Sequence, residues 1–196
     1  MRARYIVALA ALFGLVAVCP TPAYAGHHLW KLTELYSNAS GSIQFVQLFV
    51  PEAGEAGVGP FGLTASGHTF NFVTNLPSSA TANTWILVGT PSFASAPGAV
   101  PPDYIMPAGF FSTGGGTITY AGIDAWTYGT VPTDGVHSLM RDGTTPVNSV
   151  KNFAAQAGTL AIAAPAPAVT TWGIVALVGA LLLIASGLLS RRDTPA

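Results

Sequence analysis

The chain has 196 residues, a net charge of −1, 50% hydrophobic residues and only 8% charged ones. Ordinary disorder needs more charge and fewer aromatics than this, so the composition points to a folded body. Residues 26–169 carry three bases (Lys31, Arg141, Lys151) against seven acids, which leaves −4; there is no basic patch, which argues against nucleic acid as a partner.

In chain order, residues 1–25 have the form of a signal peptide. Arg2 and Arg4 supply the positive start, residues 5–18 the apolar run, and Ala23-Tyr24-Ala25 an A-x-A cleavage site. The mature chain would begin at Gly26. A rival reading is a lipoprotein acylated on Cys19, although Val18 is a poor residue before such a cysteine. A retained N-terminal membrane helix would need a longer apolar run. Cys19 is the single cysteine, so the mature chain would have neither a disulfide nor a thiolate for catalysis or metal binding.

Residues 26–159 read as one domain, long enough to bury a core without staples. Strands are expected at 29–36 and 42–50 around the turn cluster Ser37-Asn-Ala-Ser-Gly41. In the second strand Ile43, Phe45 and Phe49 share one face, and Val46, Leu48 and Val50 the other. Apolar residues on both faces predict a central strand covered on each side. Pro51 and the Gly-rich 54–62 read as a loop. Strands follow at 68–73 and 84–90. Residues 91–107 hold five prolines and read as a long irregular loop. A hairpin is expected from 117–120 and 124–128, a turn at 133–135, a strand at 136–140, a turn at 141–143, and closure of the sheet by 159–163. No helical period precedes residue 165 apart from the leader. Many short strands with Gly/Pro turns predict an all-β sandwich.

An Ala/Pro linker (160–167) leads to the uncharged run 168–190, which has the roughly 20 apolar residues that a bilayer-spanning helix needs. It lacks the polar stripe of a soluble helix, although a fully buried core helix is the competing reading. Trp172 stands at the interface position. Arg191 and Arg192, in the tail 191–196, stand where positive charge stays cytoplasmic, which orients the body outward.

Two family resemblances follow. Pro167-Ala-Val-Thr-Thr-Trp172-Gly173, the apolar helix and Arg191-Arg192 resemble the IPTL-CTERM sorting signal, a relative of PEP-CTERM tails, which reads Ile-Pro-Thr-Leu-Ser-Glu-Trp-Gly before its helix. Pro167, Trp172 and Gly173 match; Ala166, Ala168 and Thr171 depart. The resemblance implies processing by an exosortase-like transpeptidase and release to the cell surface or extracellular matrix. In the body, Leu32-Thr-Glu-Leu-Tyr-Ser-Asn38, Phe45-Val-Gln-Leu-Phe49, the segment from Gly116 to Gly129 with Asp124 and Tyr128, and Ser138-Leu-Met-Arg141 resemble the lamin-tail domain. Gln47 stands where that family often has Glu. This resemblance implies an immunoglobulin-like β-sandwich that serves as a binding or structural module.

Candidate chemistry is sparse. His27-His28 at the mature terminus could bind a metal as paired imidazoles, but no adjacent carboxylate or thiolate completes the set. Asp134, His137 and Ser138 spell a catalytic triad on paper, without a nucleophile elbow. Adjacent strand positions also point to opposite faces. Glu34 and Asp124 could form the carboxylate pair of a hydrolase; the plainer account is a salt bridge to Arg141 or solvation at a strand edge. Asp134-Gly135 and Asp142-Gly143 are turn signatures. Gly114-Gly-Gly116 lacks the Lys-Ser/Thr of a phosphate loop. Asn38-Ala-Ser40 is a formal glycosylation sequon in a turn. Trp30, Trp85 and Trp126 are either core or a glycan-stacking platform, with Trp85 and Trp126 the platform candidates.

The sequence therefore predicts no catalytic residue, metal or cofactor. It predicts an exported single-pass protein whose ectodomain lies outside the cytoplasm, tethered in membrane lipid and sorted to the surface as a structural or adhesive matrix protein. The alternative is a carbohydrate-binding module for matrix polysaccharide, and a third reading is a secreted hydrolase of unfamiliar type.

Overall fold

The structure, a computed structural model, describes residues 26–160 together with Ile162 and Ala180. The chain divides into two compact units between Ile162 and Ala163, and the fold described is that of the first. The expected leader with Ala23 and Ala25, the segment 168–190 apart from Ala180, and Pro167, Trp172, Gly173, Arg191 and Arg192 lie outside the described residues. Among the described residues no helix is long and apolar enough to cross a membrane.

The body is all-β and sandwich-like. β1 (Lys31–Ser37) and β2 (Gln44–Val50) pair antiparallel around the Asn38–Gly41 turn. β3 (Gly62–Ala65) and β4 (His68–Asn71) form a tight hairpin, and β5 (Thr84–Gly89) returns beside β2. After β5 come one helical turn, α1 (Pro91–Ala94), and the short β6 (Tyr104–Ile105), which runs parallel to β5. β7 (Gly116–Tyr120) and β8 (Asp124–Tyr128) make the expected hairpin. β9 (Leu139–Met140), β10 (Val150–Lys151) and β11 (Ala157–Gly158) are short. One sheet has the order β6-β5-β2-β1-β9, the other β4-β3-β7-β8, and β10-β11 form a separate ribbon.

Alternation explains the packing. Leu32, Leu35, Val46, Leu48, Ile86 and Val88 from the five-stranded sheet meet Leu63, Ile118, Tyr120, Trp126 and Tyr128 from the four-stranded one in a single buried core. The opposite face of the five-stranded sheet is also apolar: Tyr36, Phe45 and Leu87 pack beneath Phe93, Val100, Val150 and Leu160 in a second cluster. β2 is thus central and covered on both sides, as its sequence predicts. Its second cover comes from α1, the β10–β11 ribbon and the segments around Val100 and Leu160 rather than from a second large sheet.

Several expectations are corrected. The "loop" at 54–62 runs straight into β3, whose four residues were too few to show a pattern. The proline-rich stretch contains α1, started by the Thr90 side chain, which accepts from the Phe93 N–H, with Pro91 at the first turn. The strand expected at 136–140 shrinks to β9, because Asp134 Oδ1 draws the N–H groups of Val136 and His137 into a turn at 2.9 and 2.8 Å. The body also runs into the residues expected to be linker: Leu160 is buried and bonded to Asn148, and Ile162 N donates to Gly135 O. Gly135 has φ 85°, and a side chain there would strike the Ile162 carbonyl, so only glycine serves.

Candidate functional site

The paper triad does not assemble. His137 Nδ1 and Asp134 Oδ2 are paired at 2.5 Å on the exposed surface. Ser138 turns inward from the same segment, and its hydroxyl donates to Glu34 Oε1 at 2.6 Å. Three backbone and side-chain donors from Val136 and His137, against slight burial, hold the Asp134 carboxyl down to about 2; the His137 N–H is the largest influence. This is the chemistry of a capped turn.

Glu34 and Asp124 do not act as a pair either. Glu34, on β1, also accepts from Ser149 N at 3.1 Å. Burial pushes its carboxyl above the usual range, against the Ser138 and Ser149 bonds and the charge of Lys151. Asp124, at the start of β8, accepts from Leu32 N at 2.9 Å and from Arg141 Nη1 at 2.5 Å, with Lys31 Nζ at 3.4 Å. Burial opposes its ionisation, but the Arg141 bond, the Leu32 N–H and the charges of Arg141 and Lys31 outweigh burial and lower its pKa. The Leu32 N–H is available because β1 carries an irregularity between Leu32 and Glu34. Arg141 also donates to the carbonyls of Leu32 and Ala125. Of the plainer accounts, a salt bridge to Arg141 holds for Asp124, where it fastens the two sheets together; Glu34 is bonded to Ser138 and Ser149 instead.

The tryptophans separate. Trp30 is fully buried, its Nε1 donating to Glu55 O at 2.7 Å. Trp126, a platform candidate, is only 6% exposed and packs edge-on against Tyr128 in the core; a ring buried there has no stacking face to offer. Trp85 stays half-exposed on the outer face of the five-stranded sheet. In register across three strands stand Lys31, Phe49 and Trp85. The Phe49 and Trp85 rings are 5.2 Å apart, and Lys151 Nζ lies 4.4 Å from the centre of the Trp85 ring. Sequence reasoning missed Phe49 and the two lysines. The available signal was that Phe49 occupies an outward position at the end of β2, beyond the reach of the covering loops.

The four-stranded sheet offers a different surface. Its outer face presents Thr64, Thr69, Thr117, Thr119 and Thr127; the first four line a shallow hollow of about 360 Å³ together with His68. At the start of the body, His27 stacks on Phe61 with ring centres 3.4 Å apart, and His28 lies 4.0 Å from His27. Among the described residues no three His, Cys, Asp or Glu side chains are gathered as for a metal. Asp142 and Gly143 form the expected turn, with Asp142 Oδ1 accepting from Thr144.

No family model matches the chain, and neither a curated protein nor a solved structure matches it.

Proposed function

We propose that the chain is an exported, membrane-tethered and surface-sorted β-sandwich that acts as a non-catalytic structural or adhesive component of the cell surface or extracellular matrix. The observation that carries this reading is the use made of its polar side chains. Glu34, Asp124, Ser138 and Arg141, the groups a hydrolase would recruit, are each bonded into the joints of the fold. The leader, the tail at 168–190 and the sorting motif at Pro167, Trp172 and Gly173 supply the address, with membrane lipid and an exosortase-like enzyme as partners. The finer fold we propose is immunoglobulin-like, of the lamin-tail kind. In its support, the Glu34–Ser138 and Asp124–Arg141 contacts join the very segments that carry that resemblance. Cell fractionation with sequencing of both mature termini tests the reading. A start at Gly26 and recovery with membrane or surface material is expected; an intact tail in a cytosolic fraction would sink it.

The half-exposed Phe49–Trp85 pair favours a second reading, a module that stacks matrix polysaccharide on aromatic rings. Binding to isolated polysaccharide should then fall on Trp85→Ala with the fold unchanged. Equal binding by Trp85→Ala would remove this reading. Trp126→Ala does not test it, because Trp126 is core.

A further inference from the structure

The start of the body carries a site that no side-chain cluster reveals. Gly26 N donates to Gly54 O at 2.6 Å, and Gly26 O accepts from Gly57 N at 2.9 Å. His27 O accepts from the Tyr120 hydroxyl at 3.1 Å. All peptides here are trans, so each anchored carbonyl turns the N–H of the following residue away from its anchor. Those nitrogens belong to His27 and His28, and neither donates a hydrogen bond to any described residue. The Glu55 carboxylate, which holds Leu29 N at 3.1 Å, also lies against Gly26, where even a methyl group would strike it. The carboxylate that the sequence did not place near the histidines is therefore supplied by the fold.

We infer that the mature amino terminus, Gly26-His27-His28, is a square-planar Cu(II) site. This rests on the export reading above, specifically on cleavage after Ala25. Cleavage makes Gly26 N a primary amine and places His28 third in the chain. The amine of Gly26, the amide nitrogens of His27 and His28 and the Nδ1 of the His28 imidazole then close successive chelate rings around one ion. Four nitrogens in a plane are the geometry Cu(II) prefers, and Cu(II) heads the affinity order of divalent first-row metals. Zn(II) favours tetrahedral sites and is a poor fit. The proton balance is definite: the ammonium loses one proton and each of the two amides loses one, so one Cu(II) displaces three protons. Binding therefore weakens steeply as the pH falls. The Gly54 carbonyl is placed to accept from the ammonium of the empty terminus. The His28 ring is exposed and can swing to the metal; the His27 ring stays stacked on Phe61.

The experiment uses the processed full chain, purified in detergent, with its amino terminus sequenced first. That chain is titrated with Cu(II) and followed by visible absorption and electron paramagnetic resonance. One equivalent with a four-nitrogen signature is expected. His28→Ala should weaken binding by more than about 100-fold, beyond the 10–100-fold range seen for outer-shell changes. His27→Ala should stay within about tenfold, and Zn(II) should not compete. Inserting Gly-Gly between Ala25 and Gly26 moves both histidines out of third position and should abolish the signature. Equal loss from His27→Ala and His28→Ala, or full binding by the extended chain, would overturn the proposal in favour of a side-chain site. A mature terminus other than Gly26 would overturn it through the leader reading, and the initial sequencing separates that failure from the others.

Discussion

The two sheets share one core and differ on their outer faces. The four-stranded sheet turns threonines outward on β3, β4, β7 and β8, and nothing among the described residues covers them. The five-stranded sheet turns Tyr36, Phe45 and Leu87 outward, and the segments around Phe93, Val100, Val150 and Leu160 cover them. One sheet is thus half-wet in the usual antiparallel manner, whereas the other is a middle layer. The half-exposed row Lys31–Phe49–Trp85 lies on this same outer face of the middle layer, outside the covered cluster. Surface aromatics follow from a cover that is too short.

The sharpest way to break this contrast is Phe45→Ala. Phe45 stacks on Tyr36 at 5.2 Å and meets Phe93 edge-on at 5.6 Å. If the loops form a true second core, the loss should be about 3–5 kcal/mol, as for other buried phenylalanines. Urea denaturation measures it. A cost below about 1 kcal/mol, the scale of an exposed strand position, would mean that the outer layer is only draped over the sheet. Next in size is Asp124→Ala, which removes the link between the sheets and strands the Leu32 N–H. Because Arg141 and Lys31 are partly exposed, solvent offsets part of the loss, and about 2–3 kcal/mol is expected. Asn at this position should recover some of that by accepting from Leu32.

The sequence made this contrast legible in part. Thr117-Ile-Thr-Tyr120 and Asp124-Ala-Trp-Thr-Tyr128 alternate cleanly, and both became one-sided strands. Residues 44–50 are apolar on both faces, and the strand is buried on both. The identity of the cover was not legible, because α1, β10 and β11 are two to four residues long and carry no period. For the candidate sites, Arg141 could be named as a salt-bridge partner, since residues 26–169 hold only three bases, but which of Glu34 and Asp124 it would take could not. The pairing of Ser138 with Glu34, 104 residues apart, could not. It depends on where β9 docks, which only the folded topology decides. Trp85 and Trp126 look alike in sequence; the register of β5 and β8 separates them.

A smaller effect sharpens the comparison through pH. Burial raises the pKa of Glu34 above its ordinary 4.5, so the native state keeps this proton where the unfolded chain has lost it. Its contribution to stability is therefore largest on the acid side and falls as pH rises through that window. Asp103, half-buried and bonded to Leu87 N and Phe153 N, shifts in the same direction for the same main reason. Asp124 has the opposite sign: its contribution is present above its ordinary 3.8 and is lost as pH falls through its lowered value. The two layers thus predict a stability maximum in mild acid. Midpoints measured for wild type and Glu34→Gln between neutral and mildly acid pH isolate the Glu34 part. Wild type should gain on the variant as pH drops toward 4.5; parallel curves would show that Glu34 does not titrate differently in the fold.

The smallest effect belongs to the uncovered face, and it is the necessary counterpart of Phe45→Ala. Thr119 sits on the central strand β7, opposite Thr64 on β3 and Ala125 on β8, with its hydroxyl bonded to that of Thr64. Water can replace that bond, and what remains is the preference of a β-branched residue for the sheet. Thr119→Ala should therefore cost less than about 1 kcal/mol, within the span of strand propensities. Both residues occupy outward positions on inner strands of their sheets, so strand propensity alone would make their costs similar. A cost for Thr119→Ala comparable to that for Phe45→Ala would mean that the threonine face is covered after all, by a second copy or by another part of the chain. The same denaturation repeated across protein concentrations would tell these two covers apart.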